Sequence, residues 1–225
     1  MKKITLLALF IIHHSMFVAK AQTTFIAKGK IEYEKKVNMH KEIDSWIDDE
    51  QEGGMDWLGD MKKKVPQFQL SYYNMVFADN KTVYQPGREL PRDPSVPDWF
   101  NGAANDNIVY NDRDADKSIS QKTVFDNIFL IADSSRSMDW RITSELRKIA
   151  GFECHKAVGR IMDSVYVIAF YTDQITTSGG PESFCGLPGM ILGLAIPRLN
   201  TTWFATKLEL TDVKPTDLQQ PKKGK

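Results

Sequence analysis

The chain has 225 residues, 29 Lys and Arg against 29 Asp and Glu, 42% hydrophobic residues and two cysteines. That length fits one domain, and an even charge balance without a clustered basic face excludes an electrostatic nucleic-acid binder.

The N-terminus reads as a secretory signal over residues 1–21. Lys2 and Lys3 give a positive start, Ile4 to Ile12 an apolar run, and Ala19-Lys20-Ala21 the small-x-small pattern of a cleavage site. His13-His14 interrupts the run well short of the roughly 20 apolar residues of a spanning helix, so the chain is not expected to span a membrane. No cysteine follows the run, which argues against a lipid-modified N-terminus. Cleavage after Ala21 leaves 204 residues from Gln22, with 26 basic and 29 acidic side chains, in the periplasm or outside the cell.

From Phe25 onward the period is two. Ile31 and Tyr33 fall on one side, Glu32 and Glu34 on the other, as in a half-buried strand. The pattern returns over Phe68–Phe77, Asn107–Tyr110 and Trp203–Leu210, and more loosely over Thr123–Ile131, Phe152–Met162 and Val165–Tyr171. Asp79-Asn80 and Asp163-Ser164 suit hairpin turns. About nine or ten strands result, which predicts a mainly β (α+β) fold built on a large antiparallel sheet.

Ile43 to Lys64 breaks the rule. Ile43, Trp46, Ile47, Trp57, Leu58 and Met61 are spaced in threes and fours, so one or two amphipathic helices are expected, interrupted at Gly53-Gly54 and ended by Pro66. Such helices need somewhere to bury their stripe, and the concave face of a curved sheet is the natural place. Pro86 to Ala104 then reads as a loop carrying the aromatic pair Trp99-Phe100.

Chemistry-bearing groups are few. Asp112-Arg113-Asp114-Ala115-Asp116 imitates the start of a calcium loop, but Lys117 stands where the Gly belongs and Thr123 where the Glu belongs, so a solvated polar turn is expected. No Ser occupies a G-x-S-x-G elbow. Cys154 and His155 are strand neighbours and so point to opposite faces. Neither a catalytic set nor a metal or cofactor site is expected. Cys154 and Cys185 form the sole pair in an oxidising compartment, which favours a disulfide closing 31 residue steps and worth about 3–4 kcal/mol in the entropy model. Two buried free thiols are the rival reading. If the thiols stay reduced, a soft-metal site with His155 and Met190 is a further one.

The stretch from Ile175 to Ile196 is distinctive. Leu187-Pro188-Gly189-Met190 is a type II turn candidate, with Pro188 presetting φ and Gly189 accepting a positive φ, and the run from Met190 then enters the core. The string Gly186-Leu187-Pro188-Gly189-Met190-Ile191 resembles the GLPGLI family of exported proteins of Bacteroidetes-type bacteria. Gly180-Pro181, Trp140-Arg141-Ile142, Gly151 to Ala157 and the Ile31-Glu32-Tyr33 start extend the resemblance over about residues 25–212. It implies a single domain over residues 22–212, a LolA/LolB-like half-barrel with helices against its concave face, and no established activity. Residues 213–225 are left as a flexible C-terminal tail.

Together these readings lead to an exported, non-enzymatic envelope protein that binds a hydrophobic or lipidic ligand in the concavity. Trp46, Trp57, Leu58, Met61, Trp99 and Phe100 would line the site. The alternative is an interaction or structural module assisting an outer-membrane assembly or transport system, partnered by an outer-membrane protein. An unfilled cavity beneath residues 43–64 favours the carrier; a filled core favours the module.

Overall fold

The computed structural model describes residues 25–49, 56–97, 105–124, 127–135, 138–162 and 164–225. The signal stretch 1–21, Gly53-Gly54 and the Trp99-Phe100 pair lie outside the described residues.

The alternating segments form β1 (Gly29–Asn38), β2 (Phe68–Ala78), β3 (Lys81–Pro86), β4 (Ile108–Asp112), β5 (Lys117–Val124), β6 (Asn127–Asp133), β7 (Arg141–Ile149), β8 (Phe152–Ile161), β9 (Val165–Thr172), β10 (Met190–Ile196) and β11 (Thr201–Glu209). All eleven belong to one open, curved antiparallel sheet ordered β6-β5-β4-β3-β2-β1-β11-β10-β9-β8-β7. Neighbours in the sheet are neighbours in sequence except at the centre, where β1 pairs with β11. The first strand therefore lies in the middle, and β6 and β7, consecutive in the chain, end at opposite edges.

The strand count exceeds the expectation for physical reasons. The run Thr123–Ile131 is divided between β5 and β6, and β3 and β7 carry enough Lys, Gln, Arg and Glu to mask their period. Asp79 and Asn80, at φ 49° and 56°, make the tight β2–β3 turn, the two-residue geometry that follows strand twist. The expected polar turn after Asp112 joins β4 to β5. The Asp112 carboxylate accepts from the Ala115 backbone N–H at 3.1 Å and lies 3.7 Å from Lys81 Nζ. Cys154 is buried in β8 while His155 leans on the Tyr171 ring, 5.6 Å between centroids, as strand alternation requires.

Two helices occupy the β1–β2 connection: α1 (Met39–Asp49) and α2 (Asp56–Lys64). Asn38 caps α1, its side-chain oxygen accepting from the Lys41 N–H at 3.1 Å. Their stripe closes on itself: Met39, Ile43, Leu58, Val65 and Val96 form one buried cluster, with Trp46 and Met61 packed against it. Residues 213–225, expected as a flexible tail, instead lie along the sheet. Leu218 packs on Val83, Tyr110 and Ile119, and the Lys225 backbone bonds to Ile128 and Leu130 of β6 at 3.0 and 3.1 Å.

The core sits on the face bearing Ile31, Tyr33, Tyr73, Met75 and Tyr84, which the pairings of β1, β2 and β3 place side by side. Over it runs the β9–β10 connection. Ile175 bridges to Ile26, and the Ser178 hydroxyl donates to the Leu187 carbonyl at 2.7 Å while the Gly186 N–H reaches it at 3.3 Å. The Ile191 N–H donates to the Gly179 carbonyl at 2.8 Å. The turn itself differs from the type II expectation. Gly189 N–H donates to the Leu187 carbonyl at 2.8 Å, a three-residue turn centred on Pro188, because Met190 is already paired to Thr172 in β10.

Gly189 has φ 141°, and a Cβ there would stand 2.1 Å from the Thr172 carbonyl oxygen. Gly189→Ala is expected to lower the denaturant midpoint and to cost more than about 1 kcal/mol, the size of the gain such a swap gives at compatible sites. Chemical unfolding of the two proteins measures it.

Candidate functional site

The β9–β10 connection carries an acid onto the core face. Gly179-Gly180-Pro181 lies flat on the sheet: a Cβ on Gly179 would come within 2.9 Å of Thr82 in β3, and one on Gly180 within 2.8 Å of Ile191 in β10. The next residue, Glu182, adopts φ 55°, a left-handed conformation that side-chain-bearing residues seldom take and that costs of order 1–3 kcal/mol. Backbone strain of this kind persists only where its surroundings enforce it. Here the Ile191 N–H to Gly179 carbonyl bond and the Phe184 N–H to Pro181 carbonyl bond hold the backbone on either side of it.

Around Glu182 the central strands gather polar and aromatic groups. Lys35 of β1 is 8% exposed, although its position continues the inward series of Ile31 and Tyr33. Its amine lies 5.5 Å from the Trp203 ring and 5.9 Å from the Tyr73 ring, and 3.4 Å from the Asn105 side-chain oxygen. Tyr73 and Tyr84 stack at 4.9 Å, with Tyr33 edge-on to Tyr84 at 6.4 Å. The Tyr33 hydroxyl donates to the Ile191 carbonyl at 2.6 Å, and that of Tyr73 to the Asn105 carbonyl at 3.1 Å. The Asn107 amide donates to Glu182 Oε2 at 3.0 Å.

The cluster is incompletely satisfied. Glu182 Oε1 and Asn107 Oδ1 are closed off from solvent without a hydrogen-bond partner, while the buried Tyr84 hydroxyl and Trp203 indole N–H face one another in a poorly aligned contact. Each such atom forfeits about 1–3 kcal/mol of hydration, and native proteins rarely leave several together. Tyr84, Asn107 and Trp203 are nearly or wholly buried; Glu182 as a residue is half-buried, with its Oε1 turned inward.

Electrostatics follow from this burial. Desolvation raises the Glu182 carboxyl above the ordinary carboxylate range, opposed by the Asn107 hydrogen bond and by the charges of Lys35 and Lys122. Desolvation likewise lowers Lys35, with Glu182 pulling the other way. Among the described residues the two do not touch as an ion pair. Burial also raises Tyr73 and Tyr84, with Glu182 adding to both.

A groove of about 480 Å³ meets the cluster at Tyr73 and Asn105, which line both. Its walls are Phe68, Leu70 and Tyr72 of β2, where β3 has ended at Pro86, and the following loop with Arg88, Leu90 and Val96. The Arg88 guanidinium lies 3.4 Å from the centroid of the Tyr72 ring. Phe68, Leu70 and Leu90 are each about two-fifths exposed there.

The residues expected to hold a ligand lie elsewhere. Leu58 is buried, and Trp46 and Met61 are partly buried, in the cluster of the two helices; Trp57 is half-exposed. Trp99 and Phe100 fall outside the described residues. The Cys154–Cys185 disulfide is not formed. Cys154 packs in the sheet with Ile149 and Phe170, whereas Cys185 sits in the β9–β10 connection, 3.5 Å from an Arg113 guanidinium nitrogen. Both are buried thiols. Met190 joins the core, and Gly186 to Ile191 shape the connection, as read from the sequence.

Lys35, Tyr73, Tyr84, Asn107, Glu182 and Trp203 were not singled out by sequence reasoning. Two signals were available: a lysine in phase with buried Ile31 and Tyr33, and a lone acid inside a Gly-Gly-Pro corner.

Comparisons with known proteins bear on the same segment. A family model described as a protein of unknown function (Porph_ging) matches residues 159–193, from late β8 through the connection into β10. No curated protein matches the chain. A solved chain of PNGF-II in space group P21 is similar over 88% of this chain and 31% of its own, with a TM-score of 0.55 and 15% identity. PNGF-II in space group C2 gives 0.54 and 14% over 85% and 29%. This chain thus spans under a third of those structures, and at such identities the likeness is one of fold.

Two outcomes follow. Because Glu182 is raised, the folded state binds its proton more tightly than the unfolded state. Its contribution to stability is therefore present below the usual value of 4.5 and is lost as pH rises through the folded value. The stability of Glu182→Gln relative to the parent should accordingly climb over that window, as read by melting temperature against pH. For the cysteines, unreduced native protein should resist thiol reagents, because both groups are buried and burial pushes Cys154 up to about 11. Two thiols per chain should label after unfolding.

Proposed function

We propose that the chain is an exported, non-enzymatic envelope protein that holds a small amphiphilic ligand on the curved sheet. The polar end of the ligand enters the Lys35–Glu182 cluster, and its apolar body lies in the groove walled by Phe68, Leu70, Leu90 and Val96. The observation that carries this reading is the pair of buried, unpartnered oxygens on Asn107 and Glu182 beside the mouth of that groove. The groove supplies the apolar contact and the way in, because it opens at Tyr73 and Asn105. This moves the ligand away from Trp46, Leu58 and Met61, whose surfaces are used in packing α1 on α2. Export rests on the N-terminal signal pattern, and the GLPGLI-type resemblance supports an envelope setting.

A second reading keeps one specific observation. The stripe of α1 and α2 is a filled core, and edge strand β7 exposes Ile142 and Leu146, each at 50%. Both features suit an interaction module beside an outer-membrane assembly.

Native mass spectrometry of protein from the periplasm, with solvent extraction, separates the two. A co-purifying small amphiphile, displaced by an environment-sensitive alkyl dye and weakened by Leu70→Asp, is the expected result. Bare protein that neither carries nor binds an amphiphile would remove the carrier reading.

A further inference from the structure

We infer that the outer edge of β6 is a pairing surface for a second copy of this chain, and that residues 213–225 hold it closed. Neither depends on what the core face binds.

An open sheet has two edges, and each turns a row of backbone N–H and C=O groups outward. Here the edges are β6 and β7, and they are protected differently. β7 carries Arg141, Glu145, Arg147 and Lys148, and its register against β8 shifts between Ile142 and Leu146. Charge and irregularity of this kind discourage a further strand. β6 is paired to β5 without a register break and has no charged side chain before Asp133. Its Phe129 and Ile131 are 40% and 48% exposed. A regular, uncharged, apolar edge strand is the kind that recruits another.

The chain closes that edge with its own residues. A short helical turn at Pro215–Leu218, tied by the Lys214 N–H to the Asp217 carboxylate at 2.9 Å, seats Leu218 on Val83, Tyr110 and Ile119. Lys117 Nζ donates to Gln220 Oε1 at 3.2 Å as the segment continues towards β6. Lys225 then stands where a further strand would. Its N–H donates to the Ile128 carbonyl at 3.0 Å, and its carbonyl accepts from the Leu130 N–H at 3.1 Å. Gly224 permits that approach: it has φ 142°, and a Cβ there would stand 2.6 Å from the Leu130 nitrogen.

The sequence of β6 suits a second copy of itself. Backbone groups of alternate residues face the same side, so Ala132 continues the outward series of Ile128 and Leu130. A two-fold antiparallel pairing centred on Leu130 sets Ile128 opposite the other copy's Ala132. It also brings Phe129 onto Ile131 and the Asn127 amide to the Asp133 carboxylate, each contact made twice.

The test uses two full-chain variants. Gly224→Ala pushes the segment off β6, and Leu218→Asp frees its anchor. Amide hydrogen exchange and sedimentation velocity over a concentration series compare them with the parent. The parent should sediment as a monomer with a protected Leu130 amide. In each variant that amide should exchange about tenfold faster at low concentration, and dimers should form as concentration rises. Adding Ala132→Pro, which removes an outward N–H that β5 does not use, should return both variants to monomer. Variants that expose the Leu130 amide yet stay monomeric, or that form dimers indifferent to Ala132→Pro, would overturn the pairing surface. A Leu130 amide equally protected in parent and both variants would overturn the closure by residues 213–225.

Discussion

A carboxyl laid over the middle of a sheet with one oxygen closed off from water needs compensation, and in this protein the groups around it come from the fold's central strands. Glu182 lies within electrostatic reach of Lys35, whose amine sits over the Tyr73 and Trp203 rings, and a hydrogen bond from Asn107 holds one of its oxygens. Lys35 comes from the first strand, Trp203 from the last, and the two are direct partners in the β1–β11 pairing. The topology that places the first strand beside the last is therefore what creates the site. Without that pairing the amine and the indole would belong to different parts of the molecule.

The Gly-Leu-Pro-Gly string acquires a role from the same geometry. Its turn does not merely deliver β10 into the core. It also fastens the Ser178-Gly179-Gly180 run, through the Ser178 hydroxyl and the Ile191–Gly179 bond, so that Glu182 is pressed onto the sheet in a left-handed conformation. The family model of unknown function matches residues 159–193, which span this whole device. The similarity to PNGF-II is one of fold, and covers under a third of that protein.

Much of the sheet was legible because alternation is strong where one face is buried. Ile31 and Tyr33 against Glu32 and Glu34 announce β1, and Asp79-Asn80 announces its hairpin. The helices were legible from spacing for the same reason. Polar strands such as β7 were not, since an edge strand has little to bury on either face. The site was hidden for a different reason. Sequence pattern favours large apolar side chains as ligand contacts, so attention falls on Trp46, Trp57 and Leu58, whereas tertiary packing spends Trp46 and Leu58 on the helix pair and leaves Trp57 half-exposed. Glu182 and Lys35 are far apart in sequence, and only the folded register makes them neighbours. The disulfide expectation failed because compartment and parity say nothing of distance: Cys154 is a sheet residue and Cys185 belongs to the connection above it.

The electrostatic influence of Lys35 on the buried Glu182 carboxyl is the claim on which the account turns, and a carboxyl titration followed by carbon NMR addresses it directly. With Glu182 labelled, its carboxyl should titrate above the ordinary range for a glutamate. In Lys35→Met it should move further upward, because the amine that favours the ionised form is gone. A Glu182 carboxyl that titrates like a solvent-exposed glutamate, and that ignores the loss of Lys35, would contradict the account.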